Sequence, residues 1–149
     1  MRKTAVLGIG NLLLRDDGIG VRVVQQLQEQ GTLTWVDIVD GGTSTLDMLD
    51  LFLANEKVII VDSLRGGHEP GTIYRLTPEQ LGSFQTAQYS VHETQILDIV
   101  GLAKLMQKTP EVVIIGVEPY EIKESLELSP AIEKIFPYVV DIVEQEAIA

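Results

Sequence analysis

The sequence predicts an α/β fold, a three-layer α/β/α sandwich built on a five-stranded, mostly parallel sheet with one antiparallel strand. Three observations carry this expectation. The runs Ala5 to Ile9, Val58 to Val61 and Val112 to Ile115 are almost wholly apolar and rich in Val and Ile, as strands buried on both faces are. Helical patterns with readable caps lie between them. A further run, Thr72 to Leu76, sets Ile73 and Arg75 against Tyr74 and Leu76, the alternation of a strand with one wet face.

Taken in order, Ala5 to Ile9 gives the first strand and ends in Gly8, Gly10 and Asn11, where a loop begins. Gly20, Val23, Val24 and Leu27 fall on one face of a first helix, which Gly31 ends. Leu33 to Val39 is a more polar strand, nearer a sheet edge, running into Asp40-Gly41-Gly42-Thr43. Ser44 opens a second helix with Leu46, Leu49 and Leu53 facing inward. After Val58 to Val61, the connection Ser63 to Gly71 is too short for a helical crossover. Thr72 to Leu76 is therefore expected to pair antiparallel with the strand before it. Thr77-Pro78-Glu79-Gln80 signals a short helix, and the capping box Ser90-Val91-His92-Glu93 opens another that reaches about Lys108. Ser129-Pro130 opens the last helix, where Ile132, Ile135, Phe136, Val139, Val140 and Val143 recur at helical spacing and Pro137 should introduce a kink.

With 149 residues and 45% apolar composition, the chain is read as one domain, residues 1–149, able to bury a core. A formal charge of -11 argues against nucleic acid and anionic membranes as partners, since both demand clustered Lys and Arg. The absence of cysteine excludes disulfides, Cys-based zinc sites and thiol nucleophiles. Arg2-Lys3 and the apolar stretch after them imitate a secretory signal, but Gly8, Gly10, Asn11 and then Arg15-Asp16-Asp17 interrupt the pattern. No run approaches the roughly 18 apolar residues of a membrane span, so a soluble cytoplasmic protein is expected.

Chemistry is sought beyond the carboxyl ends of the strands. Asp17 follows the first strand, Asp62 ends the third and His92 opens a helix, so neighbouring first and third strands would bring all three to one sheet edge. Two carboxylates and an imidazole suit zinc, nickel or another divalent ion, and a histidine in a first helical turn tends to stay neutral, the metal-binding form. Each residue also has a plain structural reading. Asp16 or Asp17 can cap the first helix, Asp62 with Ser63 can form a satisfied turn, and His92 can face solvent. His68 reads as a surface residue. Asp40-Gly41-Gly42-Thr43 is either a tight turn or a backbone cradle lining the site, and Glu118-Pro119 either reaches the same edge or is simply a loop. Gly8-x-Gly10 lacks the third glycine of a dinucleotide fingerprint, with Leu13 in its place, and neither Gly-x-Ser-x-Gly nor His-Glu-x-x-His occurs.

Gly8-Ile9-Gly10-Asn11 with Asp16-Asp17-Gly18-Ile19-Gly20, Asp40-Gly41-Gly42-Thr43, Val58-Ile59-Ile60-Val61-Asp62, the His92 segment and Gly116-Val117-Glu118-Pro119 together resemble the hydrogenase maturation endopeptidases, in order and over nearly the whole chain. The fold this implies is the same sandwich, phosphorylase/hydrolase-like. The activity it implies is removal of a short C-terminal extension from the precursor of the nickel-iron hydrogenase large subunit after nickel insertion. That precursor would be the partner, and a monomer is expected because no surplus apolar helix face is evident in the sequence. The resemblance places the metal-recognising site on Asp17, Asp62 and His92, which are also the catalytic candidates, while Asn11, Gly41, Gly42, Thr43 and Glu118 are the residues expected to contact substrate. Nickel would arrive with the substrate, and a divalent ion could also occupy the free site. The first of these acids is Glu in some members and here is the shorter Asp17. The metal could polarise the peptide carbonyl, or a carboxylate could act as general base while the metal positions the bond.

Two other classes compete with a protease. A non-catalytic α/β domain binding a metallated partner or small ligand would share the fold and the metal site. A phosphorylase-like or nucleotide-binding enzyme would want basic groups near the strand ends, where Arg15 and Arg65 are the obvious candidates.

Overall fold

The computed structural model describes residues 2–84 and 91–149, with the side chains of residues 45, 46, 91 and 92 outside that description. Its strands are β1 (Thr4–Ile9), β2 (Val36–Gly42), β3 (Lys57–Ser63), β4 (Ile73–Leu76) and β5 (Glu111–Val117). Its helices are α1 (Ile19–Gln30), α2 (Leu49–Ala54), α3 (Pro78–Gly82), α4 (Val91–Leu105) and α5 (Pro130–Ile148). The five strands form one sheet in the order β2-β1-β3-β5-β4, parallel except for the β4–β5 pair.

Strand side chains alternate between two faces, so each apolar run feeds two cores at once. Val6, Ile59 and Val113 join Val23, Val24 and Leu27 of α1 and Ile132, Val139, Val140 and Val143 of α5. Leu7, Ile60 and Ile114 turn the other way, onto Phe52, Leu81, Ile96, Ile99 and Ala103 from α2, α3 and α4. Burying each large aliphatic side chain contributes about 1.5–3 kcal/mol, which is why three short runs suffice to hold three layers together. The apolar stretch after Arg2-Lys3 is β1, every residue of which is buried.

The helix caps follow the sequence. Gly31 closes α1 in the left-handed region at φ 65°, and Thr77 with Gln80 forms the complete capping box of α3. Ser90 lies outside the described residues, so the box expected before α4 does too. That helix ends at Leu105 rather than Lys108, with Gln107 at φ 60° turning the chain. The last helix runs on through Pro137.

Three expectations are corrected. The β4 strand is antiparallel, but to β5 and not to β3, because β5 takes the open edge of β3 in parallel register from Lys57↔Glu111 to Ser63↔Val117. Residues 64–72 therefore cross the end of β5, held by the Gly71 amide on the Glu118 carbonyl and the Glu118 amide on the Thr72 carbonyl. Second, the edge strand begins at Val36, three residues later than expected, and absorbs Asp40, Gly41 and Gly42. Finally, the segment after Ser44 starts as a 3-10 turn, Thr45–Met48, and only then becomes α2.

At the amino end of the sheet, Lys57 is 2% exposed, and its ammonium lies 2.8 Å from the Glu146 carboxylate. Arg75 meets the same carboxylate at 2.6 Å. These two cations tie the last turn of α5 to β3 and β4.

Candidate active site

Parallel strands deliver their carboxyl ends to one edge, and there the chain collects its first loop, the end of β3 and the loop after β5. Glycine decides how closely these approach. A Cβ on Gly20 would lie 2.1 Å from the Val61 carbonyl oxygen and 2.5 Å from that of Ile9, so α1 starts in direct contact with both central strands. Gly10, at φ 141°, passes under the backbone of Asp17, whose carbonyl oxygen would be 2.0 Å from any Cβ there. Only a residue without a side chain fits either place.

The neighbouring acids Asp16 and Asp17, in the 3-10 turn Arg15–Gly18, have opposite duties. Asp16 is 1% exposed and accepts from the Tyr120 amide at 3.0 Å, the Glu121 amide at 2.9 Å, and the amide and hydroxyl of Ser129 at 2.8 and 2.7 Å. It joins the first loop to the chain after β5 and to the start of α5. Neither acid caps α1 through its side chain.

Asp17 is half-buried and reaches toward β3. Its Oδ2 accepts from the Asn11 amide at 2.9 Å, and its Oδ1 from the Ser63 hydroxyl at 3.0 Å. Asp62 is 2% exposed, and its Oδ1 accepts from the Ser63 amide at 2.8 Å. The two candidate carboxylates thus share Ser63 as a neighbour. Because Asp62 and Ser63 are consecutive strand residues, their side chains leave opposite faces, and the Ser63 hydroxyl is free to meet the first loop. A hydroxyl directly after a strand-end acid was the available signal for this link, and a satisfied turn was the role it suggested.

His92 is the second residue of α4, and its side chain lies outside the described residues. Among the described residues, no three His, Asp or Glu side chains gather closely enough to hold a metal ion. The oxygen donors present, two carboxylates on adjoining elements, are of the hard kind that suits a divalent cation.

Asn11, Gly42 and Thr43 line an open depression of about 270 Å³ beside this loop, together with Gly10, Leu12, Val21 and Asp40. Gly42 takes φ 51°, donates its amide to Asp40 Oδ1 at 2.8 Å and accepts the Gly10 amide at 2.8 Å. Gly41 is buried behind it, where a Cβ would press on Leu7.

Glu118 is buried, and its Oε1 accepts from the Gly66 amide at 2.7 Å and the Tyr74 hydroxyl at 2.6 Å. Burial, and then this bond to a carboxylate, raise the Tyr74 phenol above its ordinary pKa. The Glu118 side chain thereby anchors the crossing after β3, and exposed His68 meets Tyr74 through Nδ1 at 3.1 Å.

Known proteins are similar to this chain in sequence and fold. The model of the hydrogenase maturation protease family matches residues 21–146. The hydrogenase 2 maturation protease of Escherichia coli is 31% identical over 131 residues, covering 86% of this chain and 80% of that protein. The hydrogenase expression/formation protein HupD of Thiocapsa roseopersicina is 33% identical over 146 residues, covering 90% of this chain, which spans 66% of that longer protein. The structure of the hydrogenase maturating endopeptidase HybD of E. coli superimposes with a TM-score of 0.85 at 28% identity, covering 95% of this chain and 89% of that one. With its sandwich fold and these matches in agreement, the chain belongs to the hydrogenase maturation protease family, a family of endopeptidases.

Proposed function

We propose that Asp17, Asp62 and His92 form the working site of a hydrogenase maturation endopeptidase that removes a short C-terminal extension from the large subunit of a nickel-iron hydrogenase. The observation that carries this reading is the pair of hydrogen bonds from Ser63, whose amide meets Asp62 and whose hydroxyl meets Asp17. Two acids, one from the first loop and one from the end of β3, are held around one residue at the carboxyl edge of the sheet, and α4 begins with His92 in its first turn.

Nickel enters as part of the substrate. Two carboxylates and an imidazole form a donor set suited to a divalent cation, so a precursor that carries nickel is held and one without it lacks the anchor. Bound there, the cation can polarise the adjoining peptide carbonyl. The chain's own residues do the rest. The first loop and the end of β3 fix the carboxylates, and a carboxylate accepts the proton of the attacking water. The depression lined by Asn11, Gly42 and Thr43, backed by Gly41, receives the peptide, while Glu118 sets the loop across β5 that borders the site. Residues 1–149 act as one domain, a monomer working in the cytoplasm.

The test is Asp62→Asn, followed by intact-mass measurement of nickel-loaded precursor. Turnover should fall by roughly 10²–10⁴-fold, the usual contribution of a positioned acid–base group, with the extension left attached. Asp17→Asn and His92→Gln should behave alike. A folded Asp62→Asn protein that cleaves at the wild-type rate overturns the assignment, and a wild-type protein that binds precursor without shortening it turns the site into a recognition module.

A further inference from the structure

We propose that Ser63 is a positioning residue for the cleavage reaction, fixing the Asp17 carboxylate relative to Asp62 so that both meet the same cation of the precursor. The inference rests on the role proposed above for Asp17. Its basis is geometric: Ser63 is 8% exposed and sits one residue past Asp62, and its side chain meets Asp17.

An aspartate carboxylate rotates broadly about its last torsion unless its oxygens are held. Here Oδ2 is held from within the first loop, by the Asn11 amide at 2.9 Å. That bond alone leaves the carboxylate fixed at one end. The Ser63 hydroxyl, 3.0 Å from Oδ1, supplies the second point from a different element, and each oxygen keeps a lone pair for a cation. Since the Ser63 amide also bonds Asp62 Oδ1 at 2.8 Å, movement at the end of β3 carries both acids together. The device matters more for Asp17 than it would for a glutamate, because a shorter side chain has less reach with which to recover from a wrong angle. Ser63 has one hydroxyl proton, and in this geometry it is directed at Asp17.

Cleavage of nickel-loaded precursor should be followed by intact mass at several precursor concentrations for the wild type, Ser63→Ala, Ser63→Thr, Ser63→Cys and Asp17→Asn, with thermal melting of each. Ser63→Ala should lower kcat roughly 10- to 100-fold, as loss of a residue that orients a metal ligand does, with KM within about threefold and the melting temperature within a few degrees of wild type. Ser63→Thr, which keeps the hydroxyl, should restore kcat to within about threefold. Should Ser63→Ala fail to fold, Ser63→Cys preserves the volume with a weak donor and should show the same fall in kcat. Wild-type kcat in a folded Ser63→Ala or Ser63→Cys protein, with Asp17→Asn inactive, overturns the positioning role and leaves Asp17 standing. Full activity of Asp17→Asn removes the foundation itself. Complete inactivity of both Ser63→Ala and Ser63→Thr makes Ser63 something other than a positioning residue and overturns the proposal as well.

Discussion

Asp16 and Ser129, 113 residues apart, are joined twice: the Asp16 carboxylate accepts the Ser129 amide at 2.8 Å and its hydroxyl at 2.7 Å. Through this pair the loop after the first strand and the start of the last helix are held as one piece, and the acid beside Asp16 is left for other work.

Substitution should therefore separate the two neighbours. Asp16→Asn places amide hydrogens against donors that need an acceptor and should cost roughly 2–4 kcal/mol, read from urea denaturation. Asp17→Asn, half-buried and with fewer bonds to lose, should change stability by about 1 kcal/mol or less while cleavage falls by roughly 10²–10⁴-fold. Equal destabilisation by the two would contradict the division of labour between them.

A methyl group at Gly20 should test the close contact of α1 with the central strands. Both obstacles to it are backbone carbonyls, at 2.1 and 2.5 Å, and neither can rotate away. Gly20→Ala should lose about 3 kcal/mol or more and displace the acid-bearing loop, so that activity falls even where the protein stays folded. Gly31→Ala is the control. At φ 65° with open space around it, the added methyl meets only the local backbone penalty, about 1 kcal/mol.

Acid should loosen the far end of the sheet through Glu146. The Arg75 guanidinium bonded to it, with the buried Lys57 ammonium, lowers the Glu146 carboxyl from 4.5 to about 2. Because the folded value lies below the unfolded one, the stabilisation is fully present above about pH 4.5 and is lost as pH falls toward 2. It amounts to something on the order of 2–3 kcal/mol. Denaturation of Glu146→Gln and wild type at a series of pH values should show a gap that is widest near neutrality and shrinks through this window. A gap independent of pH would place the origin of the effect elsewhere.

Much of the architecture was legible because apolar runs and caps are local signals. Val58 to Val61 reads as a doubly buried strand from its composition alone, and Gly31 and Thr77 mark helix ends by their own chemistry. The partner of β4 was not legible, since a short loop favours a hairpin and the claim of β5 on the edge of β3 arises forty and more residues further along the chain. The site divides the same way. Asp17 and Asp62 are candidates by their places, in the loop after β1 and at the end of β3, but nothing local says that Asp16 turns inward to Ser129 or that Ser63 faces Asp17, because both bonds join segments remote in sequence. Glu118 looks like a residue free to reach substrate until the crossing loop brings Gly66 and Tyr74 onto its carboxylate.

The adjacency of Asp16 and Asp17 makes the length of the first loop part of the enzyme's specification. Slip the chain between Gly10 and Gly20 by one position and the anchoring acid swings out while the half-buried one facing Ser63 is driven into the interior, with no change in composition at all. Natural or engineered insertions should be tolerated on the crossing near Gly67, where an added side chain meets open space, and rejected here.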